Sequence, residues 1–253
     1  MIFILEALKE MNEQYVYETH LHTSEGSACG RACAYDIVHA YKNAGYTGII
    51  ITDHFFYGNT AADRKLQWNE WVENFCKGYE NAYEEGKKAG LQVFFGWESG
   101  YNGTEFLVYG LDKSWLLSHP EIRDADVPEQ YSLVHEAGGM IIHAHPFREA
   151  GYIPEIRLFP EYVDGVETIN ASHSGTLAKS RCMGHPEFND YATQYATEHH
   201  LARTAGSDQH STEMVYGGMV FNRRLSDIHD YIQAVLGGEA VELLDGTRNP
   251  FLT

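Results

Sequence analysis

Fourteen histidines occur among the 253 residues, and several stand in tight pairs with one another or with an acid. His20 and His22 flank Leu21, Asp53 precedes His54, His143 and His145 flank Ala144, and Asp208 and His210 flank Gln209. Glu98 closes one apolar run and Glu167 lies in another. An imidazole offers a neutral nitrogen lone pair, and a carboxylate offers oxygen and negative charge. That mixture suits Zn, Mn or Fe better than Ca or Mg. In a strand, residues i and i+2 share a face, so His20 with His22, and Asp208 with His210, can close on one ion. Each piece alone is weak, because His-x-His is common, Asp-His is often a helix cap and His145-Pro146 could be a plain turn. Together they argue for a metal centre. The histidines have no accompanying cysteine cluster, which argues against structural zinc.

For these residues to meet, elements must carry them to one place. Tyr15 to His22 reads as a strand, and Gly48 to Thr52 as a continuous apolar strand of the kind buried in parallel sheets. Further strands are expected over Leu91 to Glu98, Glu105 to Leu111, Met140 to His143, Val163 to Ile169, Ala202 to Ser207 and Met219 to Phe221. Helices are expected over Ala34 to Ala44, Leu66 to Lys88, Pro128 to Ala137, Pro186 to His200 and Ser226 to Leu236, with Ser226 as a cap. In the second of these, Trp68, Trp71, Val72 and Phe75 share a face. Repeated βα units predict a parallel sheet with helices outside. No Gly-rich dinucleotide fingerprint follows the first strand, so a closed TIM-like barrel is favoured over an open sheet. Barrel enzymes carry their chemistry at strand ends, and nearly every expected strand end here bears a possible ligand.

Composition narrows the function. Thirty-six acids against 18 bases give a net charge of −18, and long nucleic acid is bound through Lys and Arg at phosphates, so that partner is disfavoured. Bound cations would neutralise part of the excess. No apolar run reaches the length of a membrane span, and the start, MIFILEALKEMNEQ, lacks the basic region and cleavage site of a signal peptide. A cytoplasmic protein without membrane contact is therefore expected. Cys29, Cys33, Cys76 and Cys182 form no C-x-x-C pair and read as free thiols. No linker or repeat divides residues 1–253, which are expected to form a single catalytic domain.

The segments ETHLHTSE, TDHFF, GWESG, HAHPF and GSDQH follow one another in an order that resembles the PHP family, the polymerase and histidinol phosphatase domain. The matched span runs from Tyr15 to His210, most of the chain. The resemblance implies an α/β fold, a distorted TIM-like (β/α)7 barrel, two or three divalent metal ions, and hydrolysis of phosphoesters. It implies that His20, His22, Glu98 and Asp208 hold one ion. Glu98 would bridge to a second ion that His145 also binds, and His54 and His210 would hold a third. Two positions depart from the pattern. Where the family has a further His or Asp, near Ser27 and Ala28, the nearest candidate ligand is Glu25, with Cys29 a weaker one. Where the family often has a His in the strand after the bridging Glu, this chain has Glu105, which can serve as an oxygen ligand or be a solvated carboxylate.

Other residues carry less. His143, read as sharing a face with His145, is a candidate for binding metal or substrate and for donating a proton to the leaving group, or a buried structural histidine. Asp53 is expected to orient a ligand. Glu167 is a candidate for lining the substrate pocket. Arg148, just after His145-Pro146, is a candidate phosphate-binding cation, since its fork suits two phosphate oxygens; a surface ion pair with Glu149 or Glu155 is the plainer alternative. Phosphoester hydrolysis would use a water whose pKa the metals lower from about 16 toward 7, and a small phosphomonoester such as histidinol phosphate, a nucleotide or a sugar phosphate fits the charge. Two other readings compete. An amidohydrolase would usually need a Lys at a middle strand end, which is missing here. A non-catalytic module would hold its ions in closed shells.

Overall fold

The computed structural model describes residues 14–177 and 184–252, so Cys182 and the reading of the first thirteen residues lie outside the described part. Nine strands form one sheet in the order β7-β6-β5-β4-β3-β2-β1-β8-β9. They are β1 Tyr15–Leu21, β2 Gly48–Ile51, β3 Gln92–Tyr101, β4 Thr104–Tyr109, β5 Met140–Ala144, β6 Gly165–Asn170, β7 Ala202–Gly206, β8 Gly217–Phe221 and β9 Glu242–Asp245. The sheet curls into a nearly closed barrel. Asp208 N–H donates to the His20 carbonyl and His22 N–H to the Gln209 carbonyl, both at 2.8 Å, so the chain leaving β7 meets the end of β1.

Alternation along the strands separates two layers. Ile50, Leu107, Ile142 and Ala205 share an inner cluster with Tyr17 and Met219. Ile49, Ile51 and Val93 face outward with Ile37 and Val38, and Trp97, Val108 and Ile141 face outward with Trp71 and Phe75. The helices are α1 Ala34–Ala44, α2 Trp68–Phe75, α3 Lys77–Ala89, α4 Lys113–Ser118, α5 Val127–Glu136, α6 Ala171–Ser174, α7 Glu187–Glu198 and α8 Ile228–Leu236. Helix α5 opens with a capping box between Asp126 and Glu129, with Pro128 in its first turn. Among the described residues no helix is long and apolar enough to cross a membrane.

Three expectations are corrected. The helix expected over Leu66 to Lys88 is two helices separated at Cys76, just before Gly78, a residue of weak helical propensity. Helix α8 is capped by Asp227, which accepts from Asp230 N–H, and not by Ser226. Strand β4 is antiparallel to both β3 and β5. The turn between β3 and β4 holds Asn102 at φ 51° and Gly103 at φ 86°, two left-handed residues in succession as a tight hairpin demands. Reversing β4 has a consequence for chemistry: its first residues, including Glu105, lie beside the carboxyl ends of its neighbours, with Glu105 opposite Ala144 and Gly100.

Candidate metal centre

The centre starts with an irregularity in β1. Glu18 is fully buried and accepts N–H groups from Thr19 at 2.9 Å, His20 at 3.0 Å and Ser207 at 2.9 Å, and the Tyr41 hydroxyl at 3.2 Å. The pairing of β1 with β2 shifts register between Glu18 and Leu21. This carboxylate therefore shapes the backbone that presents His20 and ties it to the segment that presents Asp208.

Four donor sets then converge. His20 Nε2 lies 3.2 Å from His22 Nε2, 3.3 Å from Glu98 Oε1 and 3.5 Å from Asp208 Oδ1. His22 Nε2 lies 3.1 Å from Asp208 Oδ1 and 3.5 Å from Glu98 Oε2. Donors about 2.1 Å from an ion in tetrahedral array are about 3.4 Å apart, so the spacing fits a single metal. Each ring's other nitrogen is spoken for. His20 Nδ1 lies 2.8 Å from Glu167 Oε1, and His22 Nδ1 3.1 Å from Ser27 Oγ. Ser27 Oγ donates to Asp53 at 2.7 Å, so it accepts from His22. Both Nε2 lone pairs are thereby turned toward each other, an arrangement that calls for a cation.

Glu98 reaches further. Its Oε1 is 3.1 Å from His145 Nε2, and its Oε2 is 2.8 Å from His54 Nδ1. Glu105 lies 3.6 Å from His145 and 4.0 Å from His54. Ligand atoms thus group as His20-His22-Asp208, His20-Glu98-His145, His54-Glu98-Glu105 and His22-His54-His210. Glu98 Oε2 and His54 Nδ1 are both buried, and beyond their 2.8 Å contact with each other neither makes a hydrogen bond. Burial opposes charge on Glu98 and Asp208, yet the cations and imidazoles around them, His20 and His54 for Glu98, Arg148 and His20 for Asp208, hold both well below the usual carboxylate range. Glu105 is pushed up by burial and then by the neighbouring Glu98 charge. Close acids deprived of water and lacking a full counter-charge suit divalent ions.

Backbone turns aim the ligands. His145 has φ 27° and Asp208 φ 55°, both left-handed for non-glycine residues and each just past a strand end. Arg148 is buried, with Nη2 2.6 Å from Asp208 Oδ2 and Nε 3.0 Å from His173 Nε2, so it is no surface partner of Glu149 or Glu155. Arg148, Glu98, Glu105, Asp208 and His210 line a cavity of about 1320 Å³.

Three expected roles are corrected. Glu25 is not with the ligands, because both its oxygens accept Ala34 N–H at the start of α1, at 3.0 and 3.1 Å. Cys29 lines the cavity with His54 and His210; burial raises its thiol, but the influence of those two rings brings it down to about 6. Glu167 is not among the residues that line the cavity; it is buried and holds His20 Nδ1, His145 N–H and Asn170 Nδ2. His143 is turned away from the ligands. The strand runs to Ala144, so His143 faces outward among Phe106, Phe159 and Tyr195, with both ring nitrogens unpartnered. Asp53 orients ligands through Ser27, and Glu18 and Ser27 are residues the motifs did not single out. The one sign in the sequence was an acid, Glu18, inside an otherwise buried strand.

Burial lowers the His143 ring to about 3 from an ordinary value of 6.5. As pH falls below 6.5 the unfolded chain takes up this proton first, so stability present above that pH is lost toward pH 3, by about 1.4 kcal/mol per unit. His143→Phe should therefore keep its turnover at pH 7 and lose less stability than the native chain between pH 7 and pH 5. Urea midpoints at about those two pH values check this; a hundredfold fall in kcat would return His143 to the chemistry.

A family model of the PHP domain matches residues 18–243. No curated protein matches the sequence significantly. Among solved structures, a two-domain protein from Bacteroides vulgatus, described as containing a PHP-like metal-dependent phosphoesterase, aligns over 90% of this chain with TM-score 0.63 and 14% identity. This chain spans 64% of that protein. A protein from Bifidobacterium adolescentis, described as a metal-dependent phosphoesterase, aligns over 90% of this chain and 97% of its own, with TM-score 0.54 and 16% identity. An amidohydrolase from Chromobacterium violaceum, solved with sulfate, aligns over 77% of this chain and 87% of its own, with TM-score 0.52 and 15% identity. At such identities the likeness is one of fold.

Proposed function

The chain belongs to the PHP domain family, and from that premise we propose that it is a metal-dependent phosphoesterase, a single catalytic domain acting on a small phosphomonoester. The observation that carries this reading is Glu98, whose two oxygens serve separate groups of histidines at the floor of an open cavity. Two or three bound divalent ions, Mn, Zn or Fe, supply Lewis acidity and an acidified water there. As the family resemblance implies, His20, His22, Glu98 and Asp208 would hold the first ion, Glu98, His145 and Glu105 the second, and His54 and His210 a third, and the donor groups around Glu98 support that reading. Glu167 and Ser27 keep the first two imidazoles in the tautomer that offers Nε2. Arg148 lines the cavity beside Asp208 and supplies a fixed cation for phosphate oxygens. Arg31 and Arg123 also line the wall, in a chain whose net charge is −18, which suits a small anion over a polyanion. No lysine lines the cavity among the described residues, which disfavours a carbamylated-lysine amidohydrolase.

The test is a phosphomonoester screen on chelator-stripped protein reloaded with Mn, Zn or Fe, alongside amide substrates. Phosphate release should depend on added ion. Arg148→Ala should weaken kcat/KM by about 10- to 100-fold, the worth of a charged hydrogen bond. Amide cleavage without phosphate release, or fully loaded protein idle toward every ester, would overturn the reading.

A further inference from the structure

With His143 turned outward, β5 offers no donor to the oxygen on which an alcohol would leave. Residues 145–164 run on from β5 to β6 without helix or strand and reach the cavity wall at Arg148 and Tyr152. This segment is fixed against the β3–β4 hairpin. Arg157 Nη1 donates to the Asn102 carbonyl at 2.8 Å, and Ile153 N–H to the Ala150 carbonyl at 2.9 Å. The two chains pass so closely that a Cβ on Gly103 would lie 3.0 Å from Ile153 Cα. The hairpin that turns Glu105 toward the ligands thus also places Tyr152. Tyr152 is 54% exposed, yet its hydroxyl reaches inward and donates to Glu105 Oε2 at 3.2 Å, on a side chain only 12% exposed. Other hydroxyls on the wall are engaged elsewhere, Tyr57 with Asp124 and Ser172 with Asn170. Among the described wall hydroxyls, Tyr152 alone bonds a member of the donor groups around Glu98. An O–H···O bond is usually about 2.7–2.8 Å long, so this one is loose and the hydroxyl can turn to a better acceptor.

Phosphoryl transfer sets the entering and leaving oxygens roughly in line across phosphorus. Glu98 and the histidines around it form the floor, so water entering there sends the leaving oxygen toward the mouth, the side from which the exposed Tyr152 reaches in. Resting on the phosphoesterase reading above, we propose that Tyr152 is a catalytic residue, whose hydroxyl turns from Glu105 and donates a hydrogen bond to the leaving oxygen of the phosphomonoester. Arg148 serves the non-bridging oxygens. As the phosphorus–oxygen bond breaks, its electron pair stays on the leaving oxygen and the hydrogen bond strengthens with that charge. The proton that completes the alcohol comes from solvent, so Tyr152 ends as it began. Its help is largest for a basic alkoxide and small for a leaving group that spreads the charge itself.

The full chain, loaded with the ion that supports phosphate release, is compared on glycerol phosphate and p-nitrophenyl phosphate. Tyr152→Phe should lower kcat on glycerol phosphate by about 10- to 100-fold, the range that a hydrogen bond to a charged group spans, with KM nearly unchanged. On p-nitrophenyl phosphate the loss should stay below about threefold. Elemental analysis should find the native ion content in the variant, because Glu105 keeps both oxygens. If Tyr152 only positions Glu105, both esters slow alike and the ion content falls, which overturns the proposal. A variant as fast as the native chain on glycerol phosphate overturns it too. Native protein active on p-nitrophenyl phosphate alone overturns the role and leaves the enzyme reading standing. Native protein idle toward both esters overturns the enzyme reading and takes the role with it.

Discussion

Glu98→Gln lowers turnover of a phosphomonoester by about a thousandfold or more, a larger loss than removal of one hydrogen-bonding donor gives, and the purified protein carries at least one ion fewer. The reason is in the two ends of the carboxylate. Oε1 sits with His20 and His145, and Oε2 with His54 and His22. Glutamine keeps the shape but replaces one oxygen with an N–H2 group, which donates and cannot ligate. Whichever end it takes, one group of histidines faces a donor where it had an acceptor. The backbone should hold, because Glu98 N–H and carbonyl remain bonded to Asp53 and Phe55 at 3.1 and 2.7 Å. Elemental analysis, kcat/KM and a melting curve on one preparation check all three statements. Full ion content with native kcat/KM would show that Glu98 bridges nothing.

How far the sequence could be read depends on which physical rule each residue obeys. The strand rule of shared faces brought His20 and His22 together, and they do meet, but through a register shift at Glu18 that alternation cannot express. The same rule misplaced His143. It assumes the strand continues, whereas the chain turns left-handed at His145 and sends the two rings to opposite sides. Strand direction is likewise absent from a period-two pattern, so Glu105 read equally as an oxygen ligand and as a solvated carboxylate at a strand start. The hairpin at Asn102-Gly103 turns that start toward the site, and those two residues were the available signal. Glu25 and Cys29 lie in a loop, where spacing carries no direction at all. Helix α1 lacks a capping side chain at Cys33, and Glu25 fills that need, which takes it away from the histidines. Elements with strong patterns were readable to within a few residues, as with Ala34–Ala44 and Met140–Ala144. Ser27, which acts on His22 and His54 from behind, was not, and Glu18 was marked only as an acid inside an apolar strand.

Glu18→Ala tests that hidden layer, and its expected effect is on the fold and the ions together. Three buried N–H groups, from Thr19, His20 and Ser207, lose their acceptor, and each orphaned donor costs about 1–3 kcal/mol. Relief from burying a carboxylate offsets part of this; burial already pushes Glu18 above its ordinary value. A net loss of about 3 kcal/mol remains, and for a chain of this size that lowers Tm by about 10 °C. The loss is directional. Glu18 holds His20 on one side and Ser207, next to Asp208, on the other, so the first ion should be weakened even well below the new Tm. Glu18→Gln keeps a carbonyl acceptor and should recover part of both losses. A merely structural carboxylate would lower Tm alone, with ion affinity at 20 °C (about room temperature) unchanged once the folded fraction is counted. That outcome, or a Tm within about 2 °C of native, would sink the idea that this buried acid sets the geometry of the centre.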